Sequence, residues 1–192
     1  RRQRQMCIRD RVNPSGKLNV SFPRSTGNTP CFYNHFVTDR EESFDQPGTP
    51  EEPKGHYIFD KPEPLWNFGH GKSYTTFDYV DCALSDTLLV ASDTLKVSVT
   101  IKNTGRRDGK EVVQLYVRDK VSTVATPIQQ LKAFQKVLIK PGESQCVELS
   151  LPIAELALYN AKMEEVVEPG DFEIQIGAAS DDIRFKKTIT IN

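Results

Sequence analysis

No stretch of these 192 residues is apolar for long, and nothing approaches the ~18-residue run that marks a membrane span. Neither sign of charge dominates. Twenty-five Lys and Arg face 26 Asp and Glu, a net of -1, which excludes the strongly basic balance of a nucleic-acid binder. Cysteine is scarce: Cys7, Cys31, Cys82 and Cys146 are too few and too scattered for a disulfide framework or a zinc site with paired spacing. The three histidines (His35, His56, His70) have no second ligand at helical spacing, so no metal site is expected. No Gly-rich phosphate loop precedes a helix, and no GxSxG elbow or HExxH motif occurs, so no cofactor is implied. What the chain does have is 12 prolines and 11 glycines, a density of turn formers that favours strands over helices.

Charge is unevenly spread. Residues 1–11 carry five arginines and one aspartate, leaving 20 basic and 25 acidic residues in the remainder. Such an arm suits a contact with nucleic acid or a membrane surface, but it holds almost nothing apolar to pack with. Its string QMCIRDR also resembles translated read-through of a sequencing adapter, which would make the arm a non-native addition to be set aside. Residues 12–35 contain a turn at Asn13-Pro14-Ser15-Gly16 and then Leu18, Val20 and Phe22 alternating with polar residues, the pattern of one short strand. A single strand is not a stable unit, so this segment is expected to close a domain whose earlier part is absent. Residues 36–64 hold eight acids, three basic residues and five prolines. That composition buries too little apolar area to offset ordering and is expected to form a linker, with a short strand at 56–59.

The next segment, PLWNFGHGKSYTTFDY, concentrates Trp66, Phe68, Tyr74, Phe77 and Tyr79, five of the chain's 17 aromatics, within fourteen residues. Its expected role is an anchor that docks the linker onto a folded domain. The alternative is a platform on which sugar rings stack. From residue 78 period-two alternation recurs. Leu95, Val97, Val99 and Ile101 form one run, and Val113, Leu115 and Val117 the next. A third, 131–139, is closed by Pro141-Gly142; Val147, Leu149 and Leu151 make the fourth. Phe172, Ile174 and Ile176 follow the turn at Pro169-Gly170, and Ile183, Phe185, Ile189 and Ile191 close the chain. Only 153–159 has helical spacing. About seven strands in ~115 residues describe an immunoglobulin-like β-sandwich over 78–192, without the Cys–Trp–Cys arrangement of antibody domains.

Candidates for chemistry are thin. Asp78 and Asp81 are the only acids beside the aromatic cluster, and their pattern fits a turn or strand edge better than a carboxyl pair. Asn19-Val20-Ser21 matches a glycosylation sequon but falls in an expected buried strand. The residues themselves specify no active site.

Several motifs together resemble glycoside hydrolase family 3. NPSGKLNVSFPRSTGNTPCFYNH is similar to the closing strand of that family's α/β sandwich domain. PLWNFGHGKSYTTFDY is similar to the FGxGxSYTxF entry to its C-terminal domain. NTGRRDGKEVVQLYVRD, LKAFQKVLIKPGES and VVEPGDFEIQIGAASDDI resemble successive strands of its fibronectin type III-like domain. The departures are Trp66-Asn67 where Tyr-Pro is frequent, His70 in place of an aromatic and Lys72 in place of leucine. The resemblance implies a C-terminal accessory part of a retaining β-glycosidase, β-glucosidase-like with β-xylosidase-like relatives, acting on oligosaccharides. The family's nucleophilic aspartate and acid/base glutamate precede the first matching residue, so no catalytic residue is assigned and this chain alone is expected to be inactive. The implied partners are catalytic domains of the same polypeptide, with no nucleic acid and no membrane; the implied compartment is periplasmic or secreted. Trp66, Phe68, Tyr74 and Phe77 are the docking or sugar-stacking candidates. A free-standing carbohydrate-binding or structural module is the competing reading.

Overall fold

The structure is a computed structural model that describes residues 12–36, 49 and 63–192. The basic arm and the expected strand at 56–59 lie outside the described residues. Ten strands follow in order: β1 (Phe77–Leu84), β2 (Leu88–Leu89), β3 (Thr94–Asn103), β4 (Gly109–Asp119), β5 (Gln130–Ile139), β6 (Ser144–Pro152), β7 (Leu158–Tyr159), β8 (Glu165–Val166), β9 (Gly170–Gly177) and β10 (Ile183–Ile191). Seven are long and three are two-residue pieces, so the mainly β sandwich expected from the alternation is what forms.

Two sheets face each other. One has the order β1-β3-β6, the other β2-β10-β9-β4-β5, and β7 and β8 pair as a separate ribbon. All pairs are antiparallel except β2 with β10. Register explains why the core closes. Val99 lies opposite Cys82 on one side and Val147 on the other, so one inward row crosses the whole three-stranded sheet. The facing sheet supplies Val113, Leu115, Ile174, Ile176 and Ile189, and these side chains are fully or almost fully buried. At about 25 cal/mol per Å² of apolar area, this aliphatic layer is the main stabilising term. Turns fit their residues. Glu143 N–H donates to the Lys140 carbonyl at 3.0 Å, with Pro141 preceding Gly142 at φ +76°, the arrangement a type II turn requires.

One local expectation needed correction. Residues 153–159 do not make a helix; Ile153–Leu156 form one 3-10 turn and β7 follows. Ile183–Ile191 is one strand with a bulge between Ile183 and Phe185. Among the described residues the run Leu18–Phe22 pairs with residues further along the chain. Leu18 exchanges backbone hydrogen bonds with Gly69 and His70 (2.8 Å each), and Phe22 bridges Trp66. The partner sequence reasoning could not find lies some 45 residues downstream, so 12–36 and 63–76 form one layer, the lead-in, laid against the sandwich.

Candidate functional site

The lead-in is held on two surfaces of the sandwich. On the outer face of the five-stranded sheet, Gln114 and Tyr116 alternate with the inward Val113, Leu115 and Val117, yet both are buried. Tyr33 covers them: its ring stacks on Phe68 at 4.1 Å and meets Tyr116 edge-on at 6.0 Å. The Tyr116 hydroxyl donates to Gln114 Oε1 at 2.5 Å, while Gln114 Nε2 donates to the carbonyls of Ala178 (2.6 Å) and Gly69 (3.4 Å). Burial pushes the Tyr116 phenol well above its ordinary pKa. Gly69 adopts φ +79°, a left-handed backbone that favours glycine, and a Cβ there would press on the Gln114 amide. Gln129 Nε2 donates to the Ser180 carbonyl at 3.0 Å, and the Leu131 N–H donates to the Tyr33 hydroxyl at 3.3 Å.

The second surface is an open seam between the sheets. Glu111 has the inward parity of Val113 and Leu115, so β4 carries a carboxylate into the interior, where its residue is 6% exposed. An unpaired charge there would cost several kcal/mol. Lys17 of the lead-in reaches in from outside the sandwich: Nζ lies 2.9 Å from Glu111 Oε1 and donates to the Ala178 carbonyl at 2.9 Å. Tyr79 also faces Glu111. Burial first, then the carboxylate's negative charge and hydrogen bond, drive its phenol pKa strongly upward. Around this group lies a cleft of about 370 Å³, walled by Phe77, Tyr79, Ser73 and His70 and rimmed by Asp181, Asp182 and Arg184. Asn13 fixes the Ser73 segment to the sandwich, donating to Ser73 Oγ (2.9 Å) and the Asp108 carbonyl (3.1 Å) and accepting from the Tyr74 N–H (2.7 Å).

The four aromatic candidates do not assemble into one platform, and among the described residues no ring contact joins any two of them. Phe68 is spent on Tyr33. Phe77 packs on the core and lines the seam. Tyr74 is exposed. Trp66 lies 4.7 Å from the His70 ring, with the Lys72 ammonium 5.4 Å from its centroid. It stands opposite Phe22 in the bridge, which puts both side chains on one face. Trp66, Phe22, Val20 and Leu65 are all exposed, so the lead-in turns an apolar face outward. Asn19 is exposed too, because the segment expected to be a buried strand lies on the surface. Asp78 and Asp81 are exposed on β1, an edge strand. Sequence reasoning missed Lys17, Tyr33, Glu111, Gln114 and Tyr116. Only Glu111 left a signal, as an acid in phase with an inward valine-leucine run.

Residues 111–180 match the fibronectin type III-like domain family. Over 171 residues the chain is 40% identical to a periplasmic beta-glucosidase of Salmonella typhimurium, covering 88% of this chain and 22% of that protein. It is 42% identical to a beta-xylosidase of Formosa agariphila, covering 90% and 23%. The crystal structure of a beta-glucosidase from Listeria innocua in complex with isofagomine superposes with a TM-score of 0.84 at 36% identity, covering 96% of this chain and 25% of that one. The chain thus spans under a quarter of the length of these curated relatives. The lead-in and the fibronectin type III-like sandwich together are the C-terminal region of a β-glucosidase-like protein, and the chain belongs to glycoside hydrolase family 3.

Proposed function

We propose that this chain is the accessory C-terminal part of a retaining β-glycosidase acting on oligosaccharides, and that it docks and steadies catalytic domains lying outside these residues. The observation that carries this is the outward apolar face of Val20, Phe22, Leu65 and Trp66 on a lead-in whose inner side is already latched to the sandwich. An exposed group of large apolar side chains is what an interdomain contact needs. Relatives four times as long, named for glucoside and xyloside cleavage, support the activity. No residue of this chain is given a catalytic role, since retention needs two carboxyl groups about 5–5.5 Å apart across one bond. A periplasmic or secreted location is supported by the Salmonella relative's name, and no helix of the described residues is long and apolar enough to cross a membrane.

Two measurements test the reading. The purified chain should release no nitrophenol from an aryl β-glucoside, and measurable release would refute the assignment. In the intact parent, Trp66→Ala should lower the melting temperature while leaving substrate affinity unchanged. An unchanged melting temperature with weakened affinity would instead make Trp66 a stacking residue for sugar.

A further inference from the structure

The seam cleft is more than a flaw in the packing. Between the two sheets the core is mostly aliphatic, with Leu95, Val97, Val99 and Ile101 at 0% exposure. Here a buried carboxylate opens onto a space of about 370 Å³, at the lower end of the ~300–1,000 Å³ typical of ligand pockets. Glu111 Oε1 is held by Lys17 Nζ at 2.9 Å, and on the same wall the buried His70 Nε2 has no hydrogen-bond partner. Such groups seldom go unused in a native interior. Charge narrows what would fill it. The two cations are already committed, Lys17 to Glu111 and the Ala178 carbonyl, Arg184 to Asp182 through Nε at 2.6 Å and Nη2 at 2.9 Å. With Asp181 the walls carry one more negative than positive charge, which turns away anions.

The geometry points to a neutral cyclic polyol, a single pyranose ring, as the occupant of this cleft. A ring hydroxyl donates to Glu111 Oε1 at the floor. The Asp182 carboxylate and Arg184 guanidinium at the rim offer an acceptor and a donor side by side, the pairing that vicinal hydroxyls need. Phe77 and Tyr79, two residues apart on β1, present aromatic surface to the ring's C–H face. The cleft holds one ring rather than a chain of them. This site stands apart from the outward face proposed for docking, and the two fail independently, because docking is read as stability of the intact parent and this site as sugar binding to the present chain.

The test is titration of the full chain with D-glucose and D-xylose, followed by calorimetry and by amide chemical shifts. Saturable binding is expected, with shifts at Glu111, Tyr79 and 181–184. Arg184→Ala and Asp182→Asn, both on half-exposed side chains that a melting curve can show to be folded, should each weaken binding at least about tenfold. Lys96→Ala, which breaks an exposed pair with Glu148 on the other sheet, should leave it unchanged. The proposal is overturned by a linear, non-saturating response, by binding that survives both rim substitutions, or by equal affinity for the acyclic polyol sorbitol.

Discussion

Between the sheets, aliphatic side chains meet aliphatic side chains: Leu95, Val97 and Ile101 from one sheet, Val113, Leu115 and Ile174 from the other. Between the sandwich and its lead-in the contact is of another kind, made of an ion pair, a glutamine with three partners, a tyrosine stack and a glycine that admits them. The first surface is non-directional and tolerant of imprecise fit, whereas the second works only if particular atoms meet. That difference predicts where the molecule is brittle. It also means that a sandwich cut at 78 loses the counter-charge of its own buried acid, which arrives from residue 17.

The sharpest way to break this comparison is Lys17→Met. It strands Glu111 in the interior and should cost about 4 kcal/mol in urea unfolding, as removal of one partner of a buried pair does. Adding Glu111→Gln to it should recover most of the loss. If Lys17→Met alone is silent, the lead-in contact is ornamental. Next in size, Leu95→Ala leaves a void in a fully buried site and should cost about 3 kcal/mol by the same assay. Gly69→Ala forces a side chain into left-handed backbone against Gln114, for about 1–2 kcal/mol. It should raise hydrogen exchange at Gly69 and His70 before that of β3. The smallest effect is at alkaline pH. The Tyr79 phenol is held protonated in the fold, so its contribution is complete below the ordinary tyrosine value of about 10 and is lost as pH rises beyond it. The slope of stability against pH above 10 should therefore shallow in Tyr79→Phe.

The sandwich was legible because most of its strands bury one face and alternate at period two, and because Pro141-Gly142 marks a turn by its chemistry; Pro169-Gly170 makes no turn and runs straight into β9. β1 was partly hidden: its bulge between Tyr79 and Asp81 breaks the alternation that would have exposed it, and its aromatics read as part of the docking segment. The lead-in was hidden for a different reason. Leu18–Phe22 carries a strand's pattern, but its partner, 65–70, carries none, and pairing across so long a separation leaves no local trace. Tyr33 and Gln114 are equally mute in sequence, since a tyrosine in a tail and a glutamine on a strand suggest solvent until something covers them. Phe134 and Leu138 depart from pattern in the other direction, standing exposed on the outer face of β5 where polar residues were expected.

Trp66 is the only tryptophan in the chain and it stands on the lead-in, outside the aliphatic interior. Its emission will therefore report release of the outer layer, while far-ultraviolet dichroism follows the sheets. In a single denaturant series the two signals separate if the lead-in lets go first and coincide if it and the sandwich come apart as one cooperative body.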